Sequence, residues 1–453
     1  MLISKYSKPE FDPYGDMSPA ETDDWWPAPT RTGALTATVS LPGSKSLTNR
    51  ELVVSALADG VSLLRAPLHS RDSDLCVAAL RQLGVTIEEV PGAGGFGPDL
   101  RITPAELVGS TTIDCGLAGT VMRFVPALAA LALGPTTFDG DAGARRRPMA
   151  TLITALRELG ADINDDGRGA LPFTVHGRGA LAGGEVTIDA GASSQFVSGL
   201  LLAAARFERG LHLRHSGERL PSLPHIDMTI ATLAARGVTV GTPSVGEWVV
   251  APGAVHGAVI DIEPDLSNAA PFLAAALVTG GSVTISGWPA STTQVGASLA
   301  ELLPLFGASV TRTADSLTVT GGERILAVDL DLSAAGELAP TLVALAALAD
   351  GTSTITGIGH IRHHETDRLA ALATEINGLG GLVTELPDGL RIEPRPLHGA
   401  AWHTYDDHRM ATSGALLGLV VPGIEIENVQ TTAKTLPQFV ELWQALATGA
   451  GPA

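Results

Sequence analysis

Lysine is nearly absent from this sequence of 453 residues: past residue 8 only Lys45 and Lys434 occur, although arginine remains common throughout. An ammonium group can be driven to lose its proton by burial or by neighbouring cations, whereas a guanidinium group keeps its charge. Two lysines retained in a lysine-poor chain therefore suggest proton transfer or a compact charge contact. The alternative is that both survived by chance on a solvated surface, and the residues around them bear on that choice.

Cysteine, net positive charge and long apolar runs are also scarce, and each shortage excludes a class of protein. Cys76 and Cys115 are too few for a disulfide framework or a credible zinc site. Gly, Pro or a charged residue interrupts each apolar stretch before it reaches membrane-spanning length. The formal net charge of -19 argues against nucleic acid or an anionic membrane as a partner. We expect a cytoplasmic protein in which any anionic ligand meets a local cluster of cations.

The first 31 residues differ from the rest of the chain. Residues 1–31 are rich in proline and acidic residues and are predicted to form a flexible tail. They lack the apolar core of a secretory signal and are too acidic for an organelle transit peptide. The tail contains the pair Trp25 and Trp26, for which a docking role is the alternative interpretation.

What the sequence does contain is a repeat. An Ala/Leu-rich run that ends in glycine and precedes a strand-like alternation recurs at intervals of 70 to 76 residues, which predicts six units. The marker glycines are Gly60, Gly134, Gly210, Gly281, Gly351 and Gly423. A second helix ends in glycine 24 to 29 residues later in the first five units, at Gly84, Gly160, Gly237, Gly307 and Gly380.

Six units of this size predict two domains of three units each, because single cores stop growing well below this length. The boundary is placed near Ile262 to Asp265. It divides the chain into residues 44–263 and residues 32–43 plus 264–450. The sixth unit lacks its last strand, and we expect the otherwise unassigned strand Ala34 to Leu41 to supply it.

In every unit, a polar motif rich in small residues precedes the apolar helix. The six motifs span residues 42–50, 115–123, 191–196, 263–268, 334–340 and 405–410. A helix N-terminus offers unpaired N–H groups to an anion, although ordinary capping by Ser, Thr or Asp is the alternative for any one of them. Capping does not explain the cations at the starts of the first and second helices, because a cation there opposes the helix dipole. These cations are Lys45, Arg50, Arg123, Arg147, Arg368, Arg409 and Lys434, and their number suggests a multiply charged anion.

Acidic residues accompany the cations at Asp265, Glu337, Glu365 and Asp407. Glu337 is a candidate general base for a substrate hydroxyl, and a favourable first-turn charge is the alternative. Cys115 is a candidate nucleophile beside a Gly-rich turn, but a small, semi-buried residue fits the position better. The string GSKS lacks the GxxxxGK[ST] spacing of a phosphate-binding P-loop.

Over residues 33–446 the chain resembles the 5-enolpyruvylshikimate-3-phosphate synthase family. The motifs PGSKSxTNR, AGTxMR, SSQF, HETDR, DHRM and AKT-P occur in the family's order. The resemblance implies an enzyme that moves the enolpyruvyl group of phosphoenolpyruvate to the 5-hydroxyl of shikimate 3-phosphate through a tetrahedral intermediate. It implies an α/β fold (an inverse α/β barrel) of two similar domains, each of three βαβαββ units, that closes over the substrates. It further implies a monomer that needs no cofactor or metal, and inhibition by glyphosate because of Gly119.

Site residues follow from the resemblance, motif by motif. Those expected to hold shikimate 3-phosphate are Lys45, Ser46, Arg50, Ser193, Ser194, Gln195, Ser222, Glu337 and His364. Those expected to hold phosphoenolpyruvate are Lys45, Gly119, Arg147, Gln195, Arg368, Arg409 and Lys434. Glu337 would deprotonate the attacking hydroxyl, while Lys45, Glu365 or Lys434 would manage protonation of the methylene carbon and departure of phosphate.

Five positions depart from the family's pattern. Leu117 stands where Asn is usual, Glu337 where Asp is usual, and His364 where many relatives carry Lys. Phe124 stands where Pro is common and His225 where Tyr is frequent. An unperturbed imidazole has a pKa of about 6.5, so we expect the contact made by His364 to titrate near neutral pH.

Two alternatives remain open from the sequence. The enolpyruvyl transferase that acts on UDP-N-acetylglucosamine shares the implied fold, but it typically carries a Cys on a mobile Gly-rich loop. A non-catalytic anion-binding protein would need the cations but not the carboxylates and amines that accompany them.

Overall fold

The computed structural model describes residues 24–92, 94–218, 220 and 222–449. No helix within these ranges has the length and apolar character needed to cross a membrane. The α-helices are α1 (Lys45–Ala56), α2 (Arg71–Gln82), α3 (Gly119–Leu131), α4 (Ala142–Arg145), α5 (Ala150–Glu158), α6 (Gln195–Ala204), α7 (Leu223–Ala235), α8 (Ala269–Thr279), α9 (Leu299–Leu305), α10 (Ala339–Ala347), α11 (Arg368–Gly378), α12 (His408–Gly418) and α13 (Phe439–Thr448). Short 3-10 helices span Val295–Ser298, Gly336–Leu338, Gly359–His363 and Val429–Lys434.

The strands form small sheets, one for each predicted unit. The strands are β1 (Trp25–Pro27), β2 (Thr36–Val39), β3 (Ser62–Arg65), β4 (Thr86–Val90), β5 (Asp99–Thr103), β6 (Thr111–Asp114), β7 (Leu133–Asp139), β8 (Asp162–Asn164), β9 (Phe173–Arg178), β10 (Gly184–Ile188), β11 (Leu211–His215), β12 (Val240–Gly241), β13 (Glu247–Val250), β14 (Val259–Asp261), β15 (Ser282–Ser286), β16 (Ser309–Arg312), β17 (Ser316–Thr320), β18 (Asp329–Asp331), β19 (Ser353–Thr356), β20 (Leu382–Leu386), β21 (Gly389–Glu393), β22 (Ala401–Trp402) and β23 (Glu425–Glu427). In spatial order the sheets are β14-β3-β5-β4, β6-β7-β9-β8, β10-β11-β13-β12, β16-β17-β15-β2, β18-β19-β21-β20 and β1-β23-β22. The predicted α/β fold with a six-fold repeat is confirmed.

The first helix of each unit lies inside the molecule. In α8 and α3 nearly every residue is buried, as expected for helices that are apolar on all sides. Helices α1, α3 and α6 contact one another, and so do α8, α10 and α12. The buried apolar side chains accordingly fall into two cores. One runs from Leu52 to Ile262, and the other combines residues 28–41 with residues 266–447.

The chain passes between the two cores twice, at residues 42–44 and 262–265. The two passages lie side by side, since Gly43 forms an antiparallel bridge with Pro264. The Ser44 N–H donates to the Glu263 carbonyl at 2.8 Å, and the Asp265 N–H donates to the Pro42 carbonyl at 2.9 Å. We propose these passages as the boundary between the two domains.

The predicted partner of the N-terminal strand was wrong. Strand β2 pairs in parallel with β15 of the fourth unit, with Thr36 opposite Ser282, and not with the sixth unit. The close approach requires a glycine, because a Cβ on Gly281 would lie 2.1 Å from the Leu35 carbonyl oxygen. Alternation along a strand predicts which side chains are buried but not which sheet the strand joins.

The prediction of a flexible tail is also wrong for its last residues. Strand β1 pairs antiparallel with β23, so the sixth unit is completed by residues 25–27. Trp26 packs edge-on against Phe439 with ring centroids 6.4 Å apart, and Arg31 Nη1 donates to the Ala447 carbonyl at 2.7 Å. Trp25 packs edge-on against His403 with ring centroids 5.4 Å apart, so both tryptophans dock onto their own chain. Residues 1–23 of the predicted tail lie outside the described residues.

Candidate active site

A cavity of about 120 Å³ lies between the two cores, where the first helices of all six units begin. Each unit contributes lining residues from the start of its first helix: Ser44, Lys45 and Ser46; Thr120 and Arg123; Ser193, Ser194 and Gln195; Asp265, Ser267 and Asn268; Glu337; and His408 and Arg409. The second helices or the turns before them add Arg147, Ser222, His225, Gln294, Val295, His360, His363, His364, Glu365, Arg368 and Thr435. The polar motifs that recur in the sequence therefore meet at one place.

Capping accounts for some of these helix starts but not for others. Ser44 accepts from the Leu47 N–H, and Asp407 accepts from the Arg409 N–H at 2.8 Å, as ordinary N-caps do. Helices α3 and α6 begin without a side-chain cap. The first turn of α3 therefore offers N–H groups that no capping side chain occupies, whereas the Gln195 N–H at the start of α6 donates to Ser193 Oγ at 3.3 Å.

Arg123 and Arg147 form the cationic side of the first domain. Arg123 is only 2% exposed; its Nη1 donates to Gln195 Oε1 at 2.9 Å, and Arg147 Nη1 donates to the Leu117 carbonyl at 3.2 Å. Burial and the neighbouring charge of Arg147 hold the pKa of Arg123 well below its usual value. The Nε atoms of both arginines are buried without a hydrogen-bond partner among the described residues. Two close guanidinium groups with unused donors form a site that an anion would stabilise.

Gly119 leaves room for this pair. A Cβ on Gly119 would lie 2.7 Å from Arg123 Nη1 and 3.1 Å from Arg147 Nη2. The family departure at Leu117 has a simple structural account, because Leu117 serves the site through its backbone carbonyl. Phe124, a second departure, lies under the Arg50 guanidinium with 5.4 Å from Cζ to the ring centroid.

On the second domain, Arg368 is held by acidic residues. Its Nε donates to Asp407 Oδ2 at 2.7 Å, and its Nη2 donates to Glu365 Oε2 at 2.9 Å. Burial alone would lower the pKa of Arg368, but these carboxylates outweigh it and raise that pKa. Arg409 is less enclosed and lies 3.9 Å from Glu337 Oε1. Arg368 and Arg409 thus line, from the second domain, the same cavity as Arg123 and Arg147 of the first.

The two retained lysines occupy different environments of the same site. Lys45 lines the cavity, and its Nζ lies 3.8 Å from Asp72 Oδ2. The Lys434 side chain is 1% exposed and donates to Glu365 Oε1. Burial lowers the pKa of Lys434, and the charges of Lys45 and Arg147 lower it further, while Glu365 opposes them. The two amines are therefore within electrostatic range of each other, and Lys434 is an ammonium that gives up its proton more readily than usual.

Glu337 lines the cavity and is held by a partner from each domain. Its Oε2 pairs with His225 Nε2 at 2.7 Å, and its Oε1 accepts from the Ser267 hydroxyl. Burial alone would raise the pKa of Glu337, but the charge of His225, its hydrogen bond, Arg409 and Ser267 together bring that pKa well below its usual value. The carboxylate is consequently ionised and can accept a proton from a hydroxyl group.

The residues expected to hold shikimate 3-phosphate line the same cavity as Glu337, except Arg50, which is not among the lining residues. Ser46, Ser193, Ser194, Gln195 and Ser222 line the cavity. Ser222 adopts a left-handed backbone conformation, with φ of 55°, at the start of α7.

Arg50 lies beneath the cavity instead. Its guanidinium donates to Thr229 Oγ1 at 2.8 Å, the Ser46 carbonyl at 2.9 Å and the His225 carbonyl at 2.9 Å. In this arrangement Arg50 supports the lining residues, and its direct contact with substrate stays a prediction.

The expectation that His364 titrates near neutral pH is wrong. Burial and the neighbouring Arg368 hold the pKa of His364 well below its usual value, and Arg368 Nη1 donates to His364 Nδ1 at 3.0 Å. The ring is therefore neutral at pH 7. Cys115 is fully buried, and burial raises the pKa of its thiol, which agrees with the interpretation as a small buried residue.

Sequence reasoning assigned no role to several residues of the cavity. Ser267 lies within one of the six polar motifs, so its position was a usable signal, whereas Arg123 in another motif is among the cations predicted to bind an anion. Gln294 gave no such signal because it lies in an irregular turn. It accepts from the Leu266 N–H at 3.1 Å through Oε1 and so fixes the loop that carries Ser267.

The chain is similar to known proteins in both sequence and structure. A sequence profile described as EPSP synthase (3-phosphoshikimate 1-carboxyvinyltransferase) matches residues 29–443. A Kocuria rhizophila protein named 3-phosphoshikimate 1-carboxyvinyltransferase is 57% identical over 435 residues, covering 95% of this chain and 98% of the relative. Two structures of EPSP synthase from Acinetobacter baumannii superpose with a TM-score of 0.77. One is 25% identical and covers 93% of this chain and 97% of its own. The other is 24% identical and covers 93% and 98%.

Proposed function

The chain belongs to the EPSP synthase family, and we propose that it is an enzyme that transfers the enolpyruvyl group of phosphoenolpyruvate to the 5-hydroxyl of shikimate 3-phosphate. The observation that carries this proposal is the position of the Glu337 carboxylate. It lines the same cavity as the serines of residues 193–194 and the arginines of both domains, and it lies 3.9 Å from Arg409. A hydroxyl acceptor held by the serines and an anionic donor held by the arginines would meet at a base.

The proposed first step is addition. Glu337 takes the proton of the 5-hydroxyl, and the oxygen of that hydroxyl forms a bond to C2 of phosphoenolpyruvate. At the same time C3 gains a proton and becomes a methyl group. Lys434 is the proposed proton donor, since burial and neighbouring cations lower its pKa, with Lys45 and Glu365 as the other candidates. The product of this step is a tetrahedral intermediate.

The second step is elimination. The group that protonated C3 takes a proton back from it, the C2–C3 double bond returns, and the C2–O bond to phosphate breaks, which releases inorganic phosphate. Arg123, Arg147, Arg368 and Arg409 would stabilise the negative charge on the leaving group. No step requires a metal or another cofactor. We further propose a cytoplasmic monomer without nucleic-acid or membrane partners, consistent with the net charge of -19, and we expect glyphosate to inhibit it.

The proposed acceptor is tested by measuring phosphate release from phosphoenolpyruvate with each candidate acceptor. We expect rapid release with shikimate 3-phosphate and none with UDP-N-acetylglucosamine. Release with the nucleotide sugar alone would assign the chain to the other enolpyruvyl transferase, despite its buried Cys115.

Binding without release, followed by calorimetry, would indicate an anion-binding protein. The Glu337→Gln variant separates binding from catalysis, because it should bind both substrates but turn over on the order of a hundredfold more slowly or worse. An unchanged rate would remove Glu337 from the role of base.

A further inference from the structure

His225 and Glu337 form a contact between the two domains. His225 lies in the first turn of α7, and Glu337 lies in the 3-10 helix before α10. Their 2.7 Å hydrogen bond joins His225 Nε2 to Glu337 Oε2, and both side chains are 18% exposed. A second link lies nearby, since the Ser222 N–H approaches the Ser333 carbonyl at 3.4 Å.

The two oxygens of Glu337 are fixed from opposite domains. Oε1 accepts from the Ser267 hydroxyl of the second domain, while Oε2 is held by His225 of the first. A carboxylate has about four lone-pair sites, so both contacts leave capacity for a substrate hydroxyl. A Glu side chain has one more rotatable bond than Asp, and a donor on each oxygen restricts that added freedom.

His225 is itself anchored by its backbone. Its carbonyl accepts from Arg50 Nη2 at 2.9 Å and from Thr229 Oγ1 at 3.0 Å, and its N–H donates to the Ser222 carbonyl at 3.0 Å. The ring is therefore presented from a rigid helix start. Two of the chain's departures from the family's pattern, Glu337 for Asp and His225 for Tyr, are the two partners in this hydrogen bond.

Other charges also face the carboxylate. Arg409 lies 3.9 Å from Oε1, Arg50 and Arg368 interact favourably with Glu337 over longer distances, and Asp265 repels it. These groups come from α12, α1, α11 and the turn before α8. Within the described part of the chain none of these four groups has a hydrogen bond or close ion pair with Oε2, so the orientation of that oxygen depends on His225.

We propose that His225 is a positioning residue, which donates a hydrogen bond across the cleft to Glu337 Oε2 and orients the carboxylate toward the acceptor hydroxyl when the domains are together. This role rests on the proposed function. His225 does not itself take the substrate proton; it acts through Glu337.

The test compares His225→Phe, which removes the donor, with His225→Gln, which retains an N–H donor of similar reach. Losing a hydrogen bond to a charged group should reduce kcat of His225→Phe by about ten- to a hundredfold, with little change in either KM. The acid limb of its kcat profile should move to higher pH, because without His225 the pKa of Glu337 rises and the base is protonated sooner. His225→Gln should recover much of kcat.

A matched pair outside the cleft serves as the control. His212 Nε2 lies 2.5 Å from Glu247 Oε1 on the sheet of the third unit, so His212→Phe removes a similar contact far from the chemistry. This variant should keep the wild-type rate and pH profile, and thermal unfolding checks that all variants are folded. A wild-type rate and profile in His225→Phe, or equal losses in the Phe and Gln variants, would overturn the inference. Absence of turnover in the wild-type protein would instead overturn the proposed function.

Discussion

At the scale of single residues, Lys434 is a buried lysine whose pKa is lowered by its surroundings. It is almost completely buried, donates to Glu365 and approaches the Leu117 carbonyl at 3.5 Å. Arginine could supply the same charge but could not release a proton near neutral pH. The scarcity of lysine in the chain therefore has a chemical interpretation at this position.

We predict that Lys434→Arg lowers kcat by about a hundredfold or more, the usual contribution of a positioned acid or base. Binding of phosphoenolpyruvate should weaken far less, because the positive charge remains. Steady-state kinetics and calorimetry on the same preparation measure the two effects. The control is Arg145→Lys, which exchanges arginine and lysine at an exposed residue that pairs with Asp139 at 2.8 Å. This variant should keep the wild-type rate. A Lys434→Arg enzyme with wild-type kcat would show that only charge is needed.

At the scale of elements, Asp407 joins the start of one helix to the start of another. Its carboxylate caps α12 through the Arg409 N–H and also accepts from two nitrogens of Arg368, the first residue of α11. Both side chains are buried. A single acid therefore fixes the Arg368 guanidinium and the backbone of Arg409 at the start of α12.

We predict that Asp407→Ala destabilises the protein by about 3 kcal/mol, because it removes the carboxylate that accepts from two nitrogens of the buried Arg368 and leaves, among the described residues, only Glu365 to pair with that charge. Asp367→Ala is the matched comparison, since Asp367 caps α11 but is partly exposed. Loss of this cap together with its partly exposed pair with Arg362 should cost about 1–2 kcal/mol. Urea-induced unfolding measures both values. Equal losses in the two variants would mean that the pair with Arg368 adds nothing beyond capping.

Elements also show what could be predicted from the sequence. The starts of the first helices were predictable because helical periodicity and polar motifs recur six times, and each repeat supported the others. The place of β2 was not, because Thr36–Val39 has the same alternation whether it pairs with the fourth or the sixth unit. Strand β1 was missed because the acidic, proline-rich residues around Trp25 and Trp26 resemble a disordered segment, while the pairing that orders them lies about 400 residues away.

For the site, too, the residues within recurring motifs were predictable, whereas properties that depend on the fold were not. Lys45, Arg147, Arg368, Arg409 and Glu337 were identified from motifs, and the structure brings them to one cavity or its wall. Their protonation could not be predicted, since the low pKa of His364 follows from burial and from Arg368, whose position depends on the fold.

At the scale of the whole molecule, the two passages connect the domains and so influence the relative position of the helix starts that line the cavity. Gly43 lies in one passage, and a Cβ there would lie 2.3 Å from the Ala66 carbonyl oxygen. A methyl group would therefore push the passage away from the first domain and change the relative position of the two halves.

We predict that Gly43→Ala lowers kcat/KM for both substrates while leaving each core folded. Gly60→Ala is the control, because nothing lies within 4 Å of a Cβ at that position. Small-angle scattering with and without substrates should show a smaller decrease in the radius of gyration for Gly43→Ala than for the control. Identical scattering and kinetics in the two variants would exclude the passage from any role in closure.

The central claim is that one cleft, built from the helix starts of both domains, joins the two substrates at Glu337. The most direct test is a phosphorus NMR time course of the wild-type protein with phosphoenolpyruvate and shikimate 3-phosphate. We expect the phosphoenolpyruvate signal to be replaced by an equal amount of inorganic phosphate. We also expect the shikimate 3-phosphate signal to move to that of a new phosphomonoester, and neither change to occur when one substrate is omitted. Phosphate release that leaves the shikimate 3-phosphate signal unchanged, or no change with both substrates present, would contradict it.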